Sequence, residues 1–182
     1  MGNLEGAIAD YDKAIALDGG NSEIFNNRGN LRFQLNDLDG AMSDYGKSIR
    51  MNPKDYLGYK NRAAVYFTRK AYRDAESDFS EAIRLNPSSG EIYYNRALAR
   101  KESGDEGGAS SDYRKAVELE PNYAAEVYMK PLGITEAMMP DLGPGKILEQ
   151  GKAFESKGRL QDAIASYRKA VLEKPDYAEA WY

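Results

Sequence analysis

A period of 34 residues governs this sequence. Ala7, Ala41, Ala75 and Ala109 are spaced 34 apart, as are Tyr11, Tyr45, Phe79 and Tyr113, and as are Pro53, Pro87 and Pro121. A repeat of this length builds stacked supersecondary units, each burying its apolar face on its neighbours, rather than one closed globule. Function is therefore expected on a long, regular surface and not in a catalytic pocket. With 42% hydrophobic residues the chain can bury a sizeable core, and 30% charged residues suit a well-solvated exterior.

The unit from Ser22 to Asp55 shows how one repeat is built. Phe25, Gly29, Leu31 and Leu35 follow helical spacing. Asn36-Asp37 interrupts, and Asn tolerates the left-handed conformation that ends a helix. A second helical run holds Leu38, Ala41, Met42, Tyr45 and Ile49, until Asn52-Pro53 stops it, since a residue before Pro is pushed out of helical geometry. The unit reads as two antiparallel helices joined by a tight turn. Gly29 and Ala41 are expected where the two backbones come closest.

The pattern returns with Tyr59, Ala63, Ala75, Phe79, Ala82 and Pro87. It returns again with Tyr93, Ala97, Gly104, Ala109, Tyr113, Ala116 and Pro121, and once more with Gly151, Phe154, Gly158, Ala163, Tyr167, Ala170 and Pro175. In order and length these residues resemble the tetratricopeptide repeat family. The resemblance implies an all-α fold: a right-handed superhelical solenoid of antiparallel helix pairs, with a concave groove lined by each first helix. It also implies a scaffold that binds peptides or other proteins. The expected organisation is a partial repeat (second helix only) over 1–21, repeats over 22–55, 56–89 and 90–123, an irregular insert over 124–143, a fourth repeat over 144–177, and the start of a truncated repeat over 178–182.

The insert breaks the register: Ala109 to Ala163 spans 54 residues. Ala124 to Tyr128 opens like a first helix, Pro131 halts it, and Ile134 or Thr135 to Met139 could form one further short helix. A tolerated loop, a hinge, or a partner-contacting element using Met129, Met138 and Met139 are the alternatives. Leu4–Leu17 reads as a second helix without its first, and Trp181 falls where Phe25, Tyr59 and Tyr93 fall. Solenoid ends need polar caps, and neither end looks capped. The chain therefore reads as part of a longer array, whose ends could pack on each other and self-assemble.

An ion pair is written into the repeat. Arg28, Arg62 and Arg96 each precede an aspartate by 16 residues: Asp44, Asp78 and Asp112. In the fourth copy both change together, to Gln150 and Ser166. Each Arg is thus expected to meet its own Asp between paired helices. Asp10 holds the aspartate position of the leading half-repeat.

Function is expected in the groove. Asn27, Asn61 and Asn95 lie two residues past each large aromatic, on the groove side at helical spacing. An Asn carries a donor and an acceptor, so a row of them can hold a peptide backbone without reading its sequence. The alternative is that they solvate the concave face or bond the neighbouring helix. Other groove candidates are Asn30, Phe33, Lys60, Phe67 and Tyr94. The resemblance also brings in a carboxylate clamp that some relatives use on the acidic C-termini of heat-shock chaperones. Here its places are taken by Asn26, Asn30, Asn61, Glu91 and Asn95, so all three of its basic residues are missing, and a terminal carboxylate would lose its charge-assisted bonds.

The sequence speaks against other classes. It has no Cys and no His, which removes thiol chemistry and the commonest general base and transition-metal ligand. No Gly-rich phosphate loop is present, so no cofactor, metal or catalytic residue is expected. A net charge of −4 does not suit nucleic acid, and no apolar run of about 18 residues is present to span a membrane. The expected partner is a protein or peptide, the expected role non-catalytic, and the compartment is left open.

Overall fold

The computed structural model describes residues 3–124, 126–134 and 143–173, and within them it holds helices and no strand. Two compact units divide the chain: Met1–Ser88 with Glu102–Gly104, and Ser89–Lys101 with Asp105–Tyr182.

The first unit contains α1 (Leu4–Asp18), α2 (Ser22–Gln34), α3 (Leu38–Met51), α4 (Tyr56–Thr68) and α5 (Tyr72–Leu85). Side chains start most of them. Asn3, Asn21, Asp37 and Asp55 each accept a backbone N–H of the helix they precede, covering donors that have no partner within the helix. The turns within pairs need a left-handed residue, and Asn36 (φ 60°) and Lys70 (φ 59°) supply it. Gly104 and Gly158 take the same place in the later turns.

Helix pairs close on small residues, though not as a backbone-to-backbone contact. A methyl group on Gly29 would stand 2.7 Å from the Tyr45 ring. The small residue of the first helix therefore makes room for the aromatic of the second, while Ala41 is fully buried on its own account. Pairs then stack. Ala41 and Tyr45 of α3 pack with Val65 of α4, and Phe33, Leu38 and Met42 cover them.

The second unit contains most of α6 (Gly90–Ser103), as far as Lys101, and α7 (Glu106–Leu119), then a 3-10 turn (Pro121–Ala124), α8 (Glu126–Met129), another 3-10 turn (Lys130–Leu132), α9 (Gly143–Ser156) and α10 (Leu160–Glu173). In the insert, expected over 124–143 as a loop, a hinge or a partner-contacting element, described side chains join a packed core. Met129, Leu132 and Ile134 are buried with Tyr94, Tyr113 and Tyr123. Enclosed at 6% exposure, Met129 has no free surface to offer a partner. Tyr128 covers this cluster on one side and Phe154 and Ala163 of the α9–α10 pair on the other. One short helix thus carries apolar side chains to both neighbouring helix pairs. The short helix expected up to Met139, and with it Met138, Met139 and Trp181, lies outside the described residues.

Candidate functional site

The repeated ion pairs form as the spacing predicts. Arg28 donates from Nε and Nη2 to the two oxygens of Asp44, at 2.8 and 2.5 Å. Arg62 does the same with Asp78 (2.7 and 2.8 Å), and Arg96 with Asp112 (2.7 Å each). Hydrogen bonding to Asp44 and Asp78 raises the pKa of Arg28 and Arg62 above the usual guanidinium value. Two partners went unpredicted: Arg32 joins Asp44 at 2.8 Å, and Arg100 joins Asp112 at 2.9 Å. Both arginines stand four residues after the pair arginine, one helical turn on, and that spacing was the available signal. On α1 it is Asp12 that reaches Arg28, while Asp10 pairs with Lys13. These networks lie between helices and are structural.

Asparagines of α2 and α4 meet on one surface of the first unit. Asn61 Nδ2 donates to Asn26 Oδ1 and to Asn30 Oδ1, each at 3.0 Å. The Tyr45 hydroxyl donates to the same Asn30 oxygen at 2.8 Å. Both amide hydrogens of Asn61 are therefore used, and the Asn30 oxygen receives two bonds. What remains is a donor, Asn30 Nδ2, and an acceptor, Asn61 Oδ1, on two half-buried side chains, and neither is an enclosed atom left without a partner. Beside them, Asn26 and Asn27 line a depression of about 460 Å³ with Glu23, Asn52, Asp55 and Leu57.

The remaining expected groove residues divide by surroundings. Asn27 is exposed on α2, and Asn95 is half-buried on α6, in the second unit. Phe33 packs partly against the Ala41–Tyr45–Val65 core, and Phe67 lies edge-on to Tyr72 at 5.4 Å between ring centres. Lys60 is half-buried. Tyr94 is 9% exposed and stacks on Tyr123 at 5.1 Å, so packing already occupies its ring. The role of Asn26 and Asn30 in orienting Asn61 was not legible, because neither recurs at the repeat spacing.

Comparison with known proteins follows the same pattern. Residues 22–55 and 90–123 match one family model described as tetratricopeptide repeat, 148–182 match another, and 1–35 match a model described as TPR repeat. No curated protein sequence gives a significant match. Among solved structures, MamA is similar with a TM-score of 0.65 at 20% identity, over 98% of this chain and 92% of that one. YrrB, described as a TPR protein with an unusual peptide-binding site, has a TM-score of 0.59 at 22% identity, over 94% and 95%. The first TPR of Spaghetti bound to an HSP90 peptide has a TM-score of 0.58 at 31% identity, over 62% of this chain and 87% of its own.

Proposed function

The chain belongs to the tetratricopeptide repeat family, and we propose on that basis that it is a non-catalytic scaffold that holds a peptide segment of a partner protein on the asparagine surface of its first unit. The observation that carries this reading is the remaining pair on α2 and α4. Asn30 Nδ2 offers a donor and Asn61 Oδ1 an acceptor, and internal hydrogen bonds fix both side chains. A peptide main chain needs one of each at every residue. Side chains already held in place lose little further entropy on binding. Asn27, Phe33, Lys60 and Phe67 are proposed as flanking contacts, whereas Asn95, in the second unit, and Tyr94, being enclosed, are not.

The partner should differ from the HSP90 peptide held by Spaghetti. That peptide, SRMEEVD, is acidic, whereas Asn26, Asn30 and Asn61 supply no cation, so a segment with a neutral backbone contact suits this surface. Screening the protein against an array of extended peptides tests the proposal. Peptides that bind should tolerate many sequences. The Asn30→Ala/Asn61→Ala double variant should lose about tenfold or more in affinity, two hydrogen bonds of about 1 kcal/mol each, with its helical circular dichroism unchanged. Unaltered affinity in that variant would refute the asparagine surface as the site.

A further inference from the structure

The second unit holds a cavity of about 900 Å³, walled by α7, by Tyr93 and Arg96 of α6, and by Lys146 of α9. It is open because α7 is thin on that side. Gly107 and Ser110 occupy the places filled by Asp39 and Met42 on α3 and by Arg73 and Glu76 on α5. A space of this size matches a ligand of several residues or a small molecule, far more than a single ion.

Its charge runs against that of the chain. The protein carries −4 overall, yet four basic residues and only two acidic ones, Asp112 and Glu118, line this cavity. Two of the cations are committed: Arg96 to Asp112, and Lys115 to Glu118 at 3.1 Å. The other two, Arg114 and Lys146, are exposed and make no ion pair among the described residues. The hydroxyls of Ser110 and Ser111 make no hydrogen bond there either. Two uncommitted cations and two hydroxyl donors lining one cavity form an oxyanion-binding set. The guanidinium fork fits phosphate and carboxylate geometry, and the hydroxyls can donate to the remaining oxygens. Tyr93 adds an aromatic wall, its face already met by Arg96 at 5.7 Å.

We propose that this cavity binds an oxyanion-bearing side chain, phosphoryl or carboxylate, on a peptide segment of a partner protein. The site stands on different residues, in the other unit, from the asparagine surface, and neither depends on the other. The test is an amide NMR titration of the 15N-labelled protein with four probes: a short Gly/Ser peptide carrying one phosphoserine, the same peptide with Glu in its place, the unmodified peptide, and inorganic phosphate. The phosphoserine or the Glu peptide, or both, should give saturable shifts at Ser110, Ser111, Arg114 and Lys146 and leave Asn30 and Asn61 unmoved; which one binds more tightly identifies the source of the oxyanion. Affinity should fall about tenfold or more in the Arg114→Gln/Lys146→Gln variant and should weaken as salt is added. Both side chains are exposed, so the variant keeps its fold, as circular dichroism will verify. The proposal is overturned if no anionic peptide saturates these amides, if the double variant binds equally well, or if inorganic phosphate binds as tightly as the phosphopeptide.

Discussion

At position 48 a hydroxyl is enclosed without a partner. Ser48 is 1% exposed, and its Oγ is the only buried side-chain polar atom without a hydrogen bond among the described residues. The matching residues of the other pairs, Ala82, Ala116 and Ala170, are fully buried methyl groups. Leaving a hydroxyl unpaired in such a place costs about 1–3 kcal/mol. Ser48→Ala should therefore be neutral or raise the free energy of unfolding by about 1 kcal/mol, read from denaturant midpoints at constant slope; a clear loss would mean that the hydroxyl does have a partner. The asparagines obey the same accounting with the opposite outcome, because Asn26, Asn30 and Asn61 satisfy one another and leave no enclosed atom without a partner.

Between elements, the ion pairs differ in depth, and their energies should follow. The Asp44 side chain is fully enclosed, with Arg28 (9% exposed) and Arg32 around it, whereas Asp78 answers to an Arg62 that is one-quarter exposed. Removing one member of a deeply buried pair costs on the order of 3–5 kcal/mol, since the abandoned charge stays desolvated. Asp44→Ala should fall in that range and Asp78→Ala clearly below it, because water can reach Arg62. Equal losses in urea or guanidinium unfolding would contradict the ranking. These pairs were legible in the sequence because Arg and Asp appear together at the period and vanish together at Gln150 and Ser166. The left-handed turn residues were legible at Asn36 and at the glycines, and not at Lys70, whose side chain gives no such signal. Within the insert, the burial of Met129, Leu132 and Ile134 was not legible, for a physical reason. Pro131 and Gly133 carry the marks of a loop, while burial was decided by tyrosines that reach the insert from α6, α7 and the 3-10 turn after α7.

For the whole molecule, the tyrosines set the alkaline limit. Burial raises the pKa of Tyr45, Tyr113 and Tyr123, and burial together with the Glu155 carboxylate pushes Tyr167 up to about 12. Each phenol stays protonated in the fold above the unfolded value of about 10. Their contribution is complete below about pH 10 and is lost as pH climbs toward the folded values, because the unfolded chain then binds fewer protons. Chemical unfolding should give equal midpoints at about pH 8 and 9 and a lower one near 11; a midpoint that stays flat to pH 11 would rule this out. Family and fold were open to reading from the sequence, since a period survives substitution at any one site. The candidate surface was readable only in outline, because a row of asparagines predicts amides and not which of their atoms remain unused. That last detail gives the surface a compass. With the remaining N–H group on α2 and the remaining oxygen on α4, a bound strand in the proposed complex would turn a carbonyl toward α2 and an amide toward α4.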